Sequence, residues 1–366
     1  MIRENLLHSD PFREATFKED AAAILAAGDE QAGREFVYFR GSLSDLKRKR
    51  DELKRAGARH ALTVSALDRI LETRGRAPVA PMPEDAEALM TEFRARFPHM
   101  EELAEELADA LALGALDDDA PFHLETPLLL DGPPGVGKTF AAEWFASRLG
   151  VKFHTVSCAD ASNGFDLVGL SSGWGTGKPG LLARMFYEDG CPNPVIVLDE
   201  VDKIVADEKM SLEHVLYRLL EPETARNLRD EYLEVAVDAS AISWIATSNE
   251  RERIPAPILD RMTCIQVRAP SREERLIIVS SLYADMVSKR GWGRKFPPEL
   301  DGDAAALLAS RDDLSVRGMA KALRRAAGLA ARRRKNDEEI LAIGTDALSD
   351  ALRSGAEAEG PGIGFL

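Results

Sequence analysis

The sequence predicts an α/β protein: a parallel sheet with helices on both faces, then a small all-helical domain, all preceded by a mainly helical segment. Three observations carry that expectation. An apolar strand, Leu128, Leu129 and Leu130, runs into GPPGVGKT (132–139), which satisfies the phosphate-loop pattern G-x-x-x-x-G-K-[ST]. Beyond it, strand-like runs at 151–156, 194–198, 241–247 and 262–267 alternate with helical stretches at 181–187 and 211–220. The unbroken apolar run PVIVL (194–198) suits the centre of a parallel sheet covered on both faces. After Pro270 the strands stop. Ser271 and Glu274 form a capping-box pattern that opens a long helix, and further helices fit 303–310, 315–335 and 345–353.

Taken in order, residues 1–75 read as a separate helical segment suited to recognising a partner or substrate. Its only strand-like run is Phe36 to Phe39, and a charged helix at 42–56 is ended by Gly57. The dense cations of that helix (Lys47 to Arg55) read as a solvated face rather than a nucleic-acid contact, because acids follow directly and no aromatics interleave. Residues 76–125 begin as a linker, with three prolines among 78–83, and continue as two helices leading into the nucleotide domain at 126–270. The all-helical domain is expected at 271–354, and the glycine-rich tail 355–366 reads as a mobile end.

Composition narrows the class. The chain of 366 residues is 45% hydrophobic and 30% charged, ordinary values for a globular protein of two or three domains. A net charge of −15 argues against bulk attraction to nucleic acid or an anionic membrane. Cys158, Cys191 and Cys264 are far apart and read as reduced thiols, and the scattered histidines predict no zinc site. The first residues lack the apolar core of a signal peptide, and no apolar run approaches the ~18–20 residues that span a bilayer. A cytoplasmic location is expected.

The chemistry lies in five stretches. In the first, Gly132, Gly135 and Gly137, with Pro133, Pro134 and Val136 between them, let backbone N–H groups converge on a polyphosphate. A helix starting near Thr139 aims its positive end at the same place. Lys138 can reach the β- and γ-phosphates, and the Thr139 hydroxyl is placed to ligate Mg²⁺. The second stretch, VIVLDE (195–200), ends an apolar strand in two carboxylates: Asp199 suits the Mg²⁺ shell, and Glu200 suits a general base for the attacking water. The third ends a strand in Thr247, Ser248 and Asn249, where Asn249 can hold the lytic water or meet the γ-phosphate. The fourth ends in Asp260-Arg261, either an arginine offered to a neighbouring subunit's γ-phosphate or an intrachain surface pair. The fifth places Arg317 at the start of a helix of the small domain, where it can sense nucleotide across two domains.

These elements, in this order, resemble the AAA+ ATPases and, within them, the ATPase module of Lon proteases. The resemblance spans 127 to about 335 and rests on GPPGVGKT, VLDEVDK (197–203), LEPETARNLRDEYLEV (220–235), IATSNERERIPAPILDRM (245–262) and VRGMAKAL (316–323). It implies ATP rather than GTP, with Mg²⁺. It makes Lys138 and Thr139 Walker A residues, Asp199 and Glu200 Walker B, Asn249 sensor 1, Arg261 the arginine finger and Arg317 sensor 2. It also implies a ring, usually of six like subunits, that drives a protein chain through a central pore. Trp174 and Gly175, in the glycine-rich stretch 169–180, fall where such modules place a substrate-gripping pore loop, and residues 207–210 fall where a second would be.

The departures limit what the resemblance implies. Lon carries a serine–lysine protease domain after its lid, whereas about thirty residues follow the end of the resemblance near 335 in this sequence. Ser280, Ser281 and Lys289 lie on a lid helix and form no plausible dyad, so no peptidase activity is expected. The expected function is an ATP-driven remodelling or unfolding ring acting on a protein substrate or partner. One alternative is a slow ATP-gated regulator of a partner complex. The other is a DNA-directed motor or loader, suggested by Lys321, Arg324, Arg325 and Arg332 to Lys335 but disfavoured by the acidic total.

Overall fold

The computed structural model describes residues 35–116, 122–159, 164–170, 177–204, 212–334 and 340–356. Trp174, Gly175, residues 207–210 and the end of the tail lie outside them.

The described chain opens with β1 (Glu35–Val37), the helices α1 (Leu43–Arg55) and α2 (Ala61–Thr73), and β2 (Arg76–Pro78), which pairs antiparallel with β1. Helices α3 (Ala86–Arg96) and α4 (Glu101–Gly114) follow. The α/β part then runs β3 (Leu128–Asp131), α5 (Lys138–Leu149), β4 (Phe153–Ser157), α6 (Phe165–Val168) and α7 (Leu181–Arg184). It continues through β5 (Val195–Asp199), α8 (Leu212–Leu219), α9 (Pro222–Ala225), β6 (Leu228–Asp230), β7 (Val235–Val237), β8 (Ser243–Ser248), α10 (Ala256–Leu259) and β9 (Thr263–Gln266). The lid comprises α11 (Arg272–Ser288), α12 (Gly302–Ala309), α13 (Val316–Arg333) and α14 (Thr345–Ala356).

Five strands form one parallel sheet in the order β4-β5-β8-β3-β9. The two-residue periodicity of strands explains how one sheet builds two cores. Leu128, Leu130, Val195, Val197 and Ile245 face α3, α4 and α5, where Phe93, Phe97, Met100, Leu107 and Phe145 are buried. Leu129, Ile196, Leu198, Trp244 and Ala246 face the other way. The fully covered sheet is the α/β architecture the apolar runs predicted.

The second core differs from the sequence expectation of a separate segment at 1–75. Tyr38, Phe39, Leu46, Leu67, Ile70 and Ala77 are buried in it beside Ile196 and Leu198. Tyr38 stacks on Phe186 with ring centroids 5.3 Å apart, and Arg40 pairs with buried Asp238. The backbone at 38–40 extends the β6–β7 hairpin: Asp238 N donates to Tyr38 O, and Arg40 N to Ala236 O. Charge patterning exposed the solvated face of α1 but concealed this anchoring, because the buried residues are spread over short, separate elements.

The lid has its own core, including Val279, Tyr283, Leu308, Met319, Leu323 and Leu348. Its first helix carries the expected capping box between Ser271 and Glu274. Arg275, 6% exposed, donates to the carbonyls of Ala309 and Leu314 at 2.9 Å and to that of Arg311. It thereby ties down the loop that delivers the start of α13. Among the described residues no helix is long and apolar enough to cross a membrane.

Candidate nucleotide site

The chain leaves β3 toward β4, β5 and β8 and reaches the other side of β3 only with β9. The carboxyl end of β3 is therefore the point where a parallel sheet opens its ligand crevice. The phosphate loop lies there. A Cβ on Gly132 would stand 2.0 Å from the Val267 carbonyl oxygen, so the loop hugs the end of β9 at a distance only glycine allows. Gly135 has φ +74, and its Cβ would meet Ser315 Oγ at 2.8 Å. The glycines thus serve packing against β9 and the lid as well as phosphate approach.

Lys138, the first residue of α5, is 7% exposed. Its ammonium donates to Gly132 O at 2.6 Å, Pro133 O at 3.0 Å and Asn249 Oδ1 at 2.9 Å. All three acceptors are uncharged. Burial lowers the Lys138 pKa, with Asp131, Asp199, Asp202 and Glu200 opposing the shift. A buried cation held by neutral acceptors is a site that a polyphosphate would relieve.

One hydroxyl relay organises the acids. Thr139 Oγ1 donates to Asp199 Oδ1 at 3.0 Å, and Thr247 Oγ1 donates to the same oxygen at 2.6 Å. Thr247 also accepts from Glu200 N at 3.0 Å. Glu200 has φ 58, in the left-handed region, a conformation that costs a non-glycine residue about 1 kcal/mol or more. The backbone bond to Thr247 holds that turn, at the point where the chain leaves β5. Asn249 N donates to Oδ1 of buried Asp202 at 3.4 Å, and Asp202 pairs with Lys203 at 3.0 Å.

The lid closes the other side. Ser315 caps α13, and Arg317 N donates to Gly135 O at 3.2 Å, so the helix start rests on the phosphate loop. The Arg317 side chain is exposed. His99 Nε2, from the turn before α4, bonds the Val136 carbonyl at 3.0 Å, while its Nδ1 is buried without a partner. Burial lowers the His99 pKa. Beside it lies a cavity of about 20 Å³ walled by Phe97, His99, Phe140, Ile278, Leu282 and Val316.

The structure therefore brings Lys138, Thr139, Asp199, Glu200, Asn249 and the Arg317 backbone to one cleft. It places the Arg261 side chain elsewhere: Nη1 donates to Pro257 O at 2.7 Å, Nε stands 3.5 Å from Glu221, and the guanidinium lies over Tyr217. The intrachain partner is Glu221, not Asp260. Sequence reasoning gave no role to Thr247, His99 or Asp202. Thr247 had a local signal, a hydroxyl at the end of a buried strand, but His99 is tied to the loop only through the fold.

The donor set suits Mg²⁺ with a nucleoside triphosphate. Thr139 and Asp199 supply adjacent oxygens, the hard ligands this ion takes, and the buried Lys138 ammonium, held by neutral acceptors, suits a polyphosphate.

The comparisons agree with this geometry. Residues 128–269 match the family described as "ATPase family associated with various cellular activities (AAA)". A Lon protease of Frankia alni is 39% identical over 151 residues, 41% of this chain and 17% of that protein. Human peroxisomal Lon protease homolog 2 is 36% identical over 180 residues, 49% of this chain and 21% of that protein. The chain thus spans about a fifth of these relatives' length. A solved Hsp104:casein complex of S. cerevisiae shares the fold with a TM-score of 0.55 at 18% identity, covering 73% of this chain and 51% of that one. Residues 128–269 therefore match the AAA ATPase family, and this module resembles the ATPase part of Lon proteases.

Proposed function

We propose that the chain hydrolyses ATP with Mg²⁺, that its active sites are completed between subunits of a ring, and that the cycle remodels polypeptide. The observation that carries the reading is the single cleft where Lys138, Thr139, Asp199, Asn249 and the start of α13 meet. Lys138 exchanges its neutral acceptors for the β- and γ-phosphates. Thr139 and Asp199 hold Mg²⁺, which when bound spreads the charge of the transferring phosphoryl group. Glu200 accepts a proton from the attacking water as the γ-phosphorus–oxygen bond breaks, and the electron pair leaves with ADP beside Lys138. Asn249 orients that water. Arg317 meets the γ-phosphate from the lid.

One feature supports cooperation between subunits and another a moving lid. Arg261 is held away from its own cleft on Glu221 and Tyr217, so a phosphate that it meets on leaving these contacts belongs to a neighbouring site. The cavity beside His99 is about one water in size, so a purine base enters there only when the lid moves, which couples nucleotide to domain motion. The likeness to Lon modules supports polypeptide as the substrate, with Trp174 as the gripping residue.

ATP turnover measured across enzyme concentration, with and without a loosely folded protein, tests the reading. Turnover per subunit rising with concentration and stimulated by the protein is expected. Turnover indifferent to both would sink the ring and threading parts and leave a slow gated regulator.

A further inference from the structure

Helix α13 presents two faces of unlike chemistry. Met319, Leu323, Ala326 and Ala327 are buried in the lid core. Arg317, Lys321, Arg324, Arg325 and Arg332 fall together on the opposite, exposed face. At ~1.5 Å per residue the strip is roughly 22 Å long. Residues 314–334 hold seven arginines and lysines and no carboxylate, in a chain of net charge −15. Arg333 pairs with Asp350, but among the described residues none of the five strip cations has an ion-pair partner. Like charges four residues apart on a helix repel, and a merely solvated face interleaves acids to relieve this. This strip does not.

The complement lies on the same chain. Residues 84–109, spanning α3 and α4, hold nine carboxylates against Arg94 and Arg96. Arg94 pairs with Glu101 and Glu105, and Arg96 with Asp285 of the lid. Glu101, Glu105 and Asp109 form a row at four-residue spacing on the exposed side of α4. Among the described residues no ion pair joins the cationic strip to this acidic row.

We infer that the cationic strip of α13 beyond Arg317 (Lys321, Arg324, Arg325 and Arg332) docks on the acidic face of α4 in a second copy of the chain, head to tail. This rests on the reading of shared active sites and names the surface that would align them. Helix α4 touches the edge strand β9, where Glu102 accepts from Gln266 N, and Arg261 lies two residues before that strand. The strip begins at the phosphate loop, where Arg317 N bonds Gly135 O. A neighbour that offers α4 therefore brings its Arg261-bearing edge toward the cleft. Two unlike faces in contact generate a ring when the rotation closes. A nucleic-acid partner is disfavoured by the acidic total and by the absence of aromatics along the strip.

Sedimentation of the full chain decides the matter, run at low salt with and without Mg²⁺ and a non-hydrolysable ATP analogue. The charge-reversed pairs K321E/R325E and E105K/D109K are each expected to raise the assembly midpoint at least tenfold. An equimolar mixture of the two is expected to restore assembly, since every contact in an alternating ring then joins opposite charges. Analogue binding within threefold of the wild type in each variant shows that the cleft and the lid remain folded. Assembly unchanged in either variant, or no rescue on mixing, overturns the inference. So does loss of oligonucleotide binding in K321E/R325E with assembly unaffected. Failure of the wild type to bind the analogue would instead count against the nucleotide reading, and the nucleotide-free series would still decide the contact.

Discussion

Two polar clusters sit at opposite ends of readability. In the nucleotide cleft, Lys138, Thr139, Thr247, Asp199 and Asn249 form a connected set of hydrogen bonds, and short sequence motifs mark most of its members. The other cluster lies under the β6–β7 hairpin, where Tyr38, Tyr187 and Asp230 are 1–3% exposed. There Tyr187 Oη and Asp230 Oδ2 are buried without hydrogen-bond partners. Asp230 Oδ1 accepts from Leu233 N at 2.6 Å, and Tyr38 Oη meets Thr73 at 3.3 Å. The first cluster is built so that an arriving polyanion can replace neutral acceptors. The second has no such exchange to offer, and burial instead raises its carboxyl to about 7.

The largest effect expected is at the base. Glu200→Gln should lower turnover ~10²–10⁴-fold while leaving equilibrium ATP binding near the wild-type value. Quench-flow and nucleotide binding read the two separately, and retained turnover would remove Glu200 from the mechanism. Thr247→Val comes next. It leaves Asp199 with one hydroxyl donor and the strained Glu200 turn without its acceptor. A loss of about 1–3 kcal/mol of stability and weaker Mg²⁺-dependent nucleotide binding are expected. Unchanged Mg²⁺ dependence would mean that the relay is structural only.

What was legible follows from the same contrast. Phosphate binding needs fixed residue types within one continuous stretch, so GPPGVGKT and the acids ending β5 could be read directly. Long apolar runs set β3, β5 and β8 to within one or two residues. The three-residue strands β2, β6 and β7 carry too little periodicity to be seen, whereas β1 overlaps the strand-like run Phe36 to Phe39. Contacts such as Tyr38 on Phe186, Thr63 with Tyr232 or His99 on Val136 join residues that no local pattern links. Arg261 was readable as a motif residue, but its resting place on Tyr217 and Glu221 was not, because that depends on how α8 and α10 pack.

The hairpin cluster supplies a test that the cleft does not. Burial is the main cause raising the Asp230 carboxyl to about 7, with Glu231 adding to it; the Leu233 and Tyr232 amides and Lys49 oppose the rise. A carboxyl unfolded near ~3.9 and folded near 7 makes the native state the better proton binder between those values. Stability is therefore expected to fall as pH rises from about 4 to 7, with a mid-window slope approaching ~1.4 kcal/mol per pH unit from this group. Denaturation of Asp230→Asn across that range should show a flatter profile than the wild type. Identical profiles would show that Asp230 is ionised in the fold, stabilised by its backbone donors.

The smallest effect separates the lid from both clusters. Arg96 of α3 pairs with Asp285 of α11 while its guanidinium lies within about 6 Å of the rings of Phe97, Phe140 and Trp144. The partners are 17% and 24% exposed, so solvent screens the charge and the pair is worth at most about 1 kcal/mol. It nevertheless bridges the layer that carries His99 to the lid helix that walls the small cavity. Asp285→Ala should therefore leave global unfolding nearly unchanged while speeding hydrogen exchange in α11 and at the start of α13. Faster nucleotide association is expected with it, following the proposed entry of the base beneath the lid. Exchange that quickens in the hairpin as much as in the lid would mean that the two ends of the molecule are mechanically one, and that the contrast between them is only chemical.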